Sequence, residues 1–119
     1  MLRQHIGQTK RQIKNLGQVF ASVGRQPGRA RCLGARGIVA EGRKAMKKAG
    51  SKQLRDCLIS GAAARVEHYE IAGYRGLLVA ARQLGQRRAV ELLAGNLAQE
   101  EQAARKIGRG APRLLKRAT

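Results

Sequence analysis

Acidic and aromatic side chains are both scarce in this chain. Its 119 residues include 7 Asp and Glu against 25 Lys and Arg, for a formal net charge of +18. So few acids leave a surface that attracts polyanions through charge alone, in a salt-dependent way and whatever the fold. The aromatics are Phe20, Tyr69 and Tyr74, with no Trp. A core must therefore be built of Leu, Ile, Val and Ala, and the aromatic platforms on which single-stranded nucleic acid stacks are absent. The two cysteines, Cys32 and Cys57, form no CxxC pair, which excludes a zinc motif and a disulfide framework and predicts reduced thiols. No long apolar run and no signal-peptide pattern occurs, so neither a membrane span nor a membrane partner is expected and the chain reads as cytoplasmic. No nucleophile–base pair or phosphate loop is present, so no residue is assigned a catalytic role.

Helix-favouring Ala, Leu, Gln and Arg dominate what remains, and only two prolines interrupt them. Leu2, Ile6, Thr9, Ile13, Leu16, Phe20 and Val23 recur at three-four spacing and predict an amphipathic helix over 2–23. That pattern is already running at Met1, with no cap before it, as if the helix were cut into rather than begun. Gly24 to Gly37 reads as a basic loop broken by Gly24, Pro27, Gly28 and Gly34. A short helix is expected over 38–48, followed by Gly50 as a stop and Ser51 as an N-cap. A long helix over 52–84 places Ile59, Ala63, Val66, Glu70, Tyr74, Leu77, Ala81 and Leu84 on one face, with Glu67 toward its edge and His68 on the far side. Gly85 ends it as a C′ residue. The last helix, 87–108, carries a stripe of Val90, Leu93, Leu97, Ala104 and Ile107. Pro112 stops it and leaves a basic tail over 109–119. Several of the 15 glycines fall inside helical patterns, where each costs about 1 kcal/mol relative to Ala, so the fold is expected to be marginal.

Four of the acids stand out. Glu67 and Glu70 lie one helical turn apart, and Glu100 and Glu101 flank the stripe of the following helix. Folding the two helices back about Gly85-Gln86 puts Glu70 and Glu101 equally far from the turn, with Glu100 one residue nearer it and Glu67 one turn farther. Carboxylates brought together in a dry interior repel one another and favour protonation unless a cation joins them. Inward carboxylates on facing helices are how helical bundles hold iron or manganese. The bland alternatives are that Glu67 and Glu70 pair with Arg and that Glu100-Glu101 is a solvated run.

The run Arg65-Val-Glu-His-Tyr-Glu-Ile-Ala-Gly-Tyr74 resembles the signature helix of the YciE/YciF-type ferritin-like family. The resemblance continues in order through His5-x-x-x-Thr9-x-x-Gln12-Ile13-x-x-Leu16-x-Gln18-Val19-Phe20, through Cys32 and Gly37-Ile-Val-Ala-Glu-Gly42, and through Leu92-Leu93-x-x-Asn-Leu97-x-x-Glu100-Glu101. It implies an all-α, ferritin-like up-down bundle with a short crossover helix, an association with stress responses, and often a homodimer. The family pattern begins with a further helix that this chain lacks, so residues 1–119 are expected to form a single partial ferritin-like domain with the first bundle helix missing. The metal-ligand candidates carried over are Glu67, Glu70, Glu100, Glu101 and His5, with iron or manganese as the metal. Gly7 and Gln8 stand where the family tends to carry Glu, and so do Gly17, Gly34 and Arg36. The expected site is therefore impaired and incomplete for a paired-metal oxidase. The competing expectation is a basic helical protein that binds nucleic acid or other polyanions.

Overall fold

A computed structural model describes the backbone of residues 2–119 and the side chains from Arg3 onward. Expectations that rest on Met1, and on the side chain of Leu2, lie outside the described residues. The chain forms four α-helices, α1 (Leu2–Ser22), α2 (Leu33–Lys47), α3 (Lys52–Gln83) and α4 (Arg87–Ala118), and no strand among the described residues. These make two compact units. One comprises Met1–Ala30 with Glu70–Glu101, the other Arg31–Tyr69 with Gln102–Thr119.

Local chemistry sets most of the helix ends. Gly85 has φ 66° and Gly24 φ 71°, the left-handed region that glycine enters without steric cost. At α3 the Gln86 amide donates to the Ala81 carbonyl and the Gly85 amide to that of Arg82. At α1 the Arg25 amide donates to Phe20 and the Gly24 amide to Ala21. Both ends are thus Schellman motifs, in which otherwise stranded carbonyls find donors. Ser51 caps α3 as expected, its Oγ accepting from the Leu54 amide at 3.1 Å. The other helical glycines have no such role: a Cβ added at Gly7 or Gly17 would meet nothing within 4 Å. Gly17→Ala should therefore stabilise the protein by about 0.5–1 kcal/mol, whereas Gly85→Ala should destabilise it by about 1 kcal/mol or more. Urea unfolding of the two variants checks the opposite signs.

Two boundaries differ from the sequence expectation. α2 begins at Leu33, not 38, because Gly34 is a site of close approach rather than a breaker. A Cβ there would fall 2.6 Å from Cε2 of Tyr69. Gly42 is similarly tight, a Cβ lying 3.0 Å from that of Ala62. α4 runs through Pro112 to Ala118, replacing the expected tail with helix. A proline removes one intrahelical donor, here to the Gly108 carbonyl. Gly108 and Pro112 are both exposed, so water can take that carbonyl and the loss does not end the helix.

Within the first unit, α3 and α4 form the expected antiparallel hairpin about Gly85. Tyr74, Leu78 and Ala81 pack on Ala89 and Leu93, with Leu16 and Val19 of α1 against them. Full burial of Leu78 and Leu93, each 3% exposed, is worth about 2 kcal/mol apiece. α1 runs antiparallel to α4, since Gln12 meets Gln99, Asn15 meets Asn96 and Gln18 meets Arg88.

The faces are turned from those expected. On α3 the buried line is Glu67, Ile71, Tyr74, Leu78 and Ala81, while Ile59, Leu77 and Leu84 are exposed. On α1 the inward face is polar. Gln12 is buried and His5, Gln8 and Asn15 are half-buried, while Ile6, Ile13, Phe20 and Val23 stay exposed. The apolar stripe of α1 thus flanks the interface instead of filling it, because the surface that α1 meets on α3 and α4 includes Tyr74, Asn96 and Gln99, which bind amides.

Candidate metal centre

The turn of α3 that begins at Glu67 and the facing turn of α4 concentrate negative charge. Glu67, Glu70 and Glu100 each offer one carboxylate oxygen, all within 4.8 Å of one another. Glu67 is 2% and Glu100 1% exposed, and Glu70 is half-buried. Glu67 and Glu70 come together because three residues make nearly one turn. Glu100 joins them because the tight Gly85 turn sets the register of the hairpin. Its Oε2 is buried with no hydrogen-bond partner, an uncompensated cost of about 1–3 kcal/mol or more for a charged group.

Electrostatics follows the geometry. Burial, then the shared hydrogen bond with Glu100 and its charge, push the Glu70 carboxyl from 4.5 up to about 7. The folded protein therefore holds this proton more tightly than the unfolded chain. The contribution of Glu70 to stability is greatest below about pH 4.5 and is lost as pH rises from there through about 7. Between pH 5 and 8 the metal-free protein should lose stability, and Glu70→Gln should flatten that slope. Melting curves across this range, with a chelator present, compare the two proteins. A slope that Glu70→Gln leaves unchanged would refute the assignment.

The layer one turn toward the hairpin is neutral and fully paired. Tyr74 follows Glu70 by four residues, and Asn96 precedes Glu100 by four. The Tyr74 hydroxyl donates to Gln12 Oε1 at 3.1 Å, and Asn96 Nδ2 donates to the Tyr74 oxygen at 3.3 Å and to the Gln12 carbonyl at 3.3 Å. Asn15 Nδ2 donates to Asn96 Oδ1 at 2.9 Å, and Gln12 Nε2 to Gln99 Oε1 at 3.2 Å. Burial, reinforced by the charges of Glu70 and Glu100 and opposed by Asn96, pushes the Tyr74 phenol up to about 12. Sequence reasoning did not assign Gln12, Asn96 and Tyr74 to the site. The available signal was polar residues recurring at the same three-four spacing as an inward face, His5, Gln8, Gln12 and Asn15 on α1.

Two of the five ligand candidates stand apart from this group. Glu101, expected level with Glu70, is turned toward Arg75, 3.7 Å away, with about a third of its side chain exposed. It is Glu100 that faces inward. His5 is half-buried and lies outside the three-carboxylate group. His68 is exposed. In the second unit Cys32 Sγ lies 2.8 Å from the Tyr69 hydroxyl, which chiefly, with the Ala35 and Gly34 amides, lowers the Cys32 thiol. Both cysteines are free.

The donor set fits a hard cation. Anionic oxygens in a dry site are the ligands that such ions take, and the unpartnered Glu100 oxygen is a vacancy in hydrogen bonding that a cation would fill. The helices and this carboxylate group define an all-α, ferritin-like protein with a group that could hold a metal ion. The whole chain, residues 1–119, matches the family described as Domain of unknown function (DUF892). It is 35% identical over 98 residues to Protein YciF of Escherichia coli (strain K12), a stretch that covers 82% of this chain and 59% of that protein. The crystal structure of the E. coli stress protein YciF superposes with a TM-score of 0.89 at 31% identity, covering 96% of this chain and 72% of that one. The chain belongs to the DUF892 family, and it spans about 59% of the length of the curated relative it matches. No helix among the described residues is long and apolar enough to cross a membrane.

Proposed function

We propose that this is a cytoplasmic, stress-associated metal-binding protein that holds one iron or manganese ion on Glu67, Glu70 and Glu100. The observation that carries the reading is the convergence of three carboxylate oxygens within 4.8 Å at a place where two of the three side chains are almost wholly buried. Keeping three such groups charged without a cation is costly. Iron and manganese are the ions that inward carboxylates hold in related bundles, and the stress association rests on the kinship with YciF. The test is elemental analysis of protein from cells supplemented with iron and manganese, stripped of nucleic acid at high salt. About one ion per chain is expected, because three carboxylates suffice for one hard cation. Absence of both metals, together with no heat on titration with manganese, would overturn the reading.

A second reading, binding of nucleic acid or other polyanions, is favoured by one observation. Every Lys and Arg except Lys106 is exposed, on a chain of net charge +18. DNA affinity should then fall steeply with salt. An affinity independent of salt would eliminate it.

A further inference from the structure

Ile6, Ile13 and Phe20 recur every seven residues along α1, and Thr9, Leu16 and Val23 fall three residues after each. This is the a/d seam of a heptad repeat, over three heptads. The bundle uses only part of it. Leu16 packs on the core, while Ile6 is 48%, Ile13 65%, Phe20 37% and Val23 43% exposed. On one side of the seam lies the buried face of Gln12 and Val19. On the other, at the positions that meet the flanking charges of a partner helix, stand Arg3 and Lys10, both exposed.

Charge decides what such a seam accepts. α1 carries Arg3, Lys10, Arg11 and Lys14 and no acid, and the first acidic residue of the chain is Glu41. Flanking charges in a coiled coil select the partner, with opposite signs attracting and like signs excluding. A second copy of α1 would set Arg3 and Lys10 against more of the same. We propose that the Ile6–Ile13–Phe20 seam of α1 docks an acidic amphipathic helix, with apolar residues in heptad register and Asp or Glu facing Arg3 and Lys10. The seam is narrow and contains no Trp or Tyr, which suits a helix rather than a lipid surface.

The test uses the full chain and labelled synthetic helices of about twenty residues. One carries a Leu seam flanked by Glu. A second keeps the seam but exchanges Glu for Lys. A third keeps the Glu residues and replaces the seam with Ser. The first should bind at least about tenfold more tightly than either control, and Ile13→Glu should weaken it by a similar factor. Because Ile13 is largely exposed, Ile13→Glu should keep the circular dichroism and melting curve of the parent, and Lys10→Glu serves as a second variant that should also weaken binding. Equal binding of the Ser-seam peptide, or affinity unmoved by Ile13→Glu, would reduce the effect to bulk charge and overturn the proposal. So would a parent that sediments as a dimer and becomes monomeric on Ile13→Glu, or one that binds anionic vesicles through Ile13 and ignores the first peptide.

Discussion

Glu100→Gln should raise the melting temperature of the metal-free protein at pH 8 while weakening its metal binding. The substitution keeps the shape of the side chain, removes one of the converging negative charges, and supplies an amide that can donate to Glu70. Relief of the unpartnered oxygen, Glu100 Oε2, is worth about 1 kcal/mol or more, and at this chain length each kcal/mol moves the melting temperature by about 4 °C or more. Loss of an anionic ligand should weaken manganese binding by at least about tenfold, or 1.4 kcal/mol. The two effects have opposite signs because the group is strained without a cation and satisfied with one. A purely structural carboxylate would behave otherwise, with Glu100→Gln lowering the melting temperature and leaving metal stoichiometry unchanged. Measuring both quantities on one sample separates the cases.

Asn96→Ala should be the most damaging single change in the first unit. Asn96 is 0% exposed, and its amide joins three elements: it accepts from Asn15 of α1, and donates to the Gln12 carbonyl and to Tyr74 of α3. Truncation leaves a cavity and strips partners from Asn15 and Tyr74. Each buried polar group so orphaned costs about 1–3 kcal/mol, giving a loss of about 3–5 kcal/mol against a total of about 5–15 kcal/mol for a domain of ordinary stability. Chemical denaturation reads this directly. A loss below about 1 kcal/mol would mean that water replaces the amide and that the network does not hold α1 in register. Glu67 and Glu70 need not move in this variant, so a fall in metal affinity larger than the fall in stability explains would show that the neutral layer also positions Glu100.

Much of the fold was legible in the residues themselves. Gly24 and Gly85 end their helices by a conformation that glycine alone adopts freely, and Ser51 starts one by offering an oxygen to an unpaired amide. These are interactions over a few residues, so the sequence contains both partners. The register that brings Glu70 to Glu100 follows from the same source, since a tight turn leaves little choice of pairing. The YciE/YciF resemblance and the all-α class, both read from such local patterns, agree with the family match and the structural superposition.

What the tertiary structure decided is which of several adjacent residues points inward. One step along a helix turns the side chain by about 100°, so Glu100 and Glu101 are neighbours in sequence yet face different surroundings, one buried beside Glu70 and the other beside Arg75. The same holds on α3, where Glu67 rather than Glu70 occupies the buried line, because apolar residues surround too much of that helix for its pattern to single out a face. On α1 the regular apolar stripe marked the wrong side. Amides buried against Tyr74 and Asn96 are stable only because each finds a partner on another helix, and a pairing across distant segments leaves no periodic trace in either one.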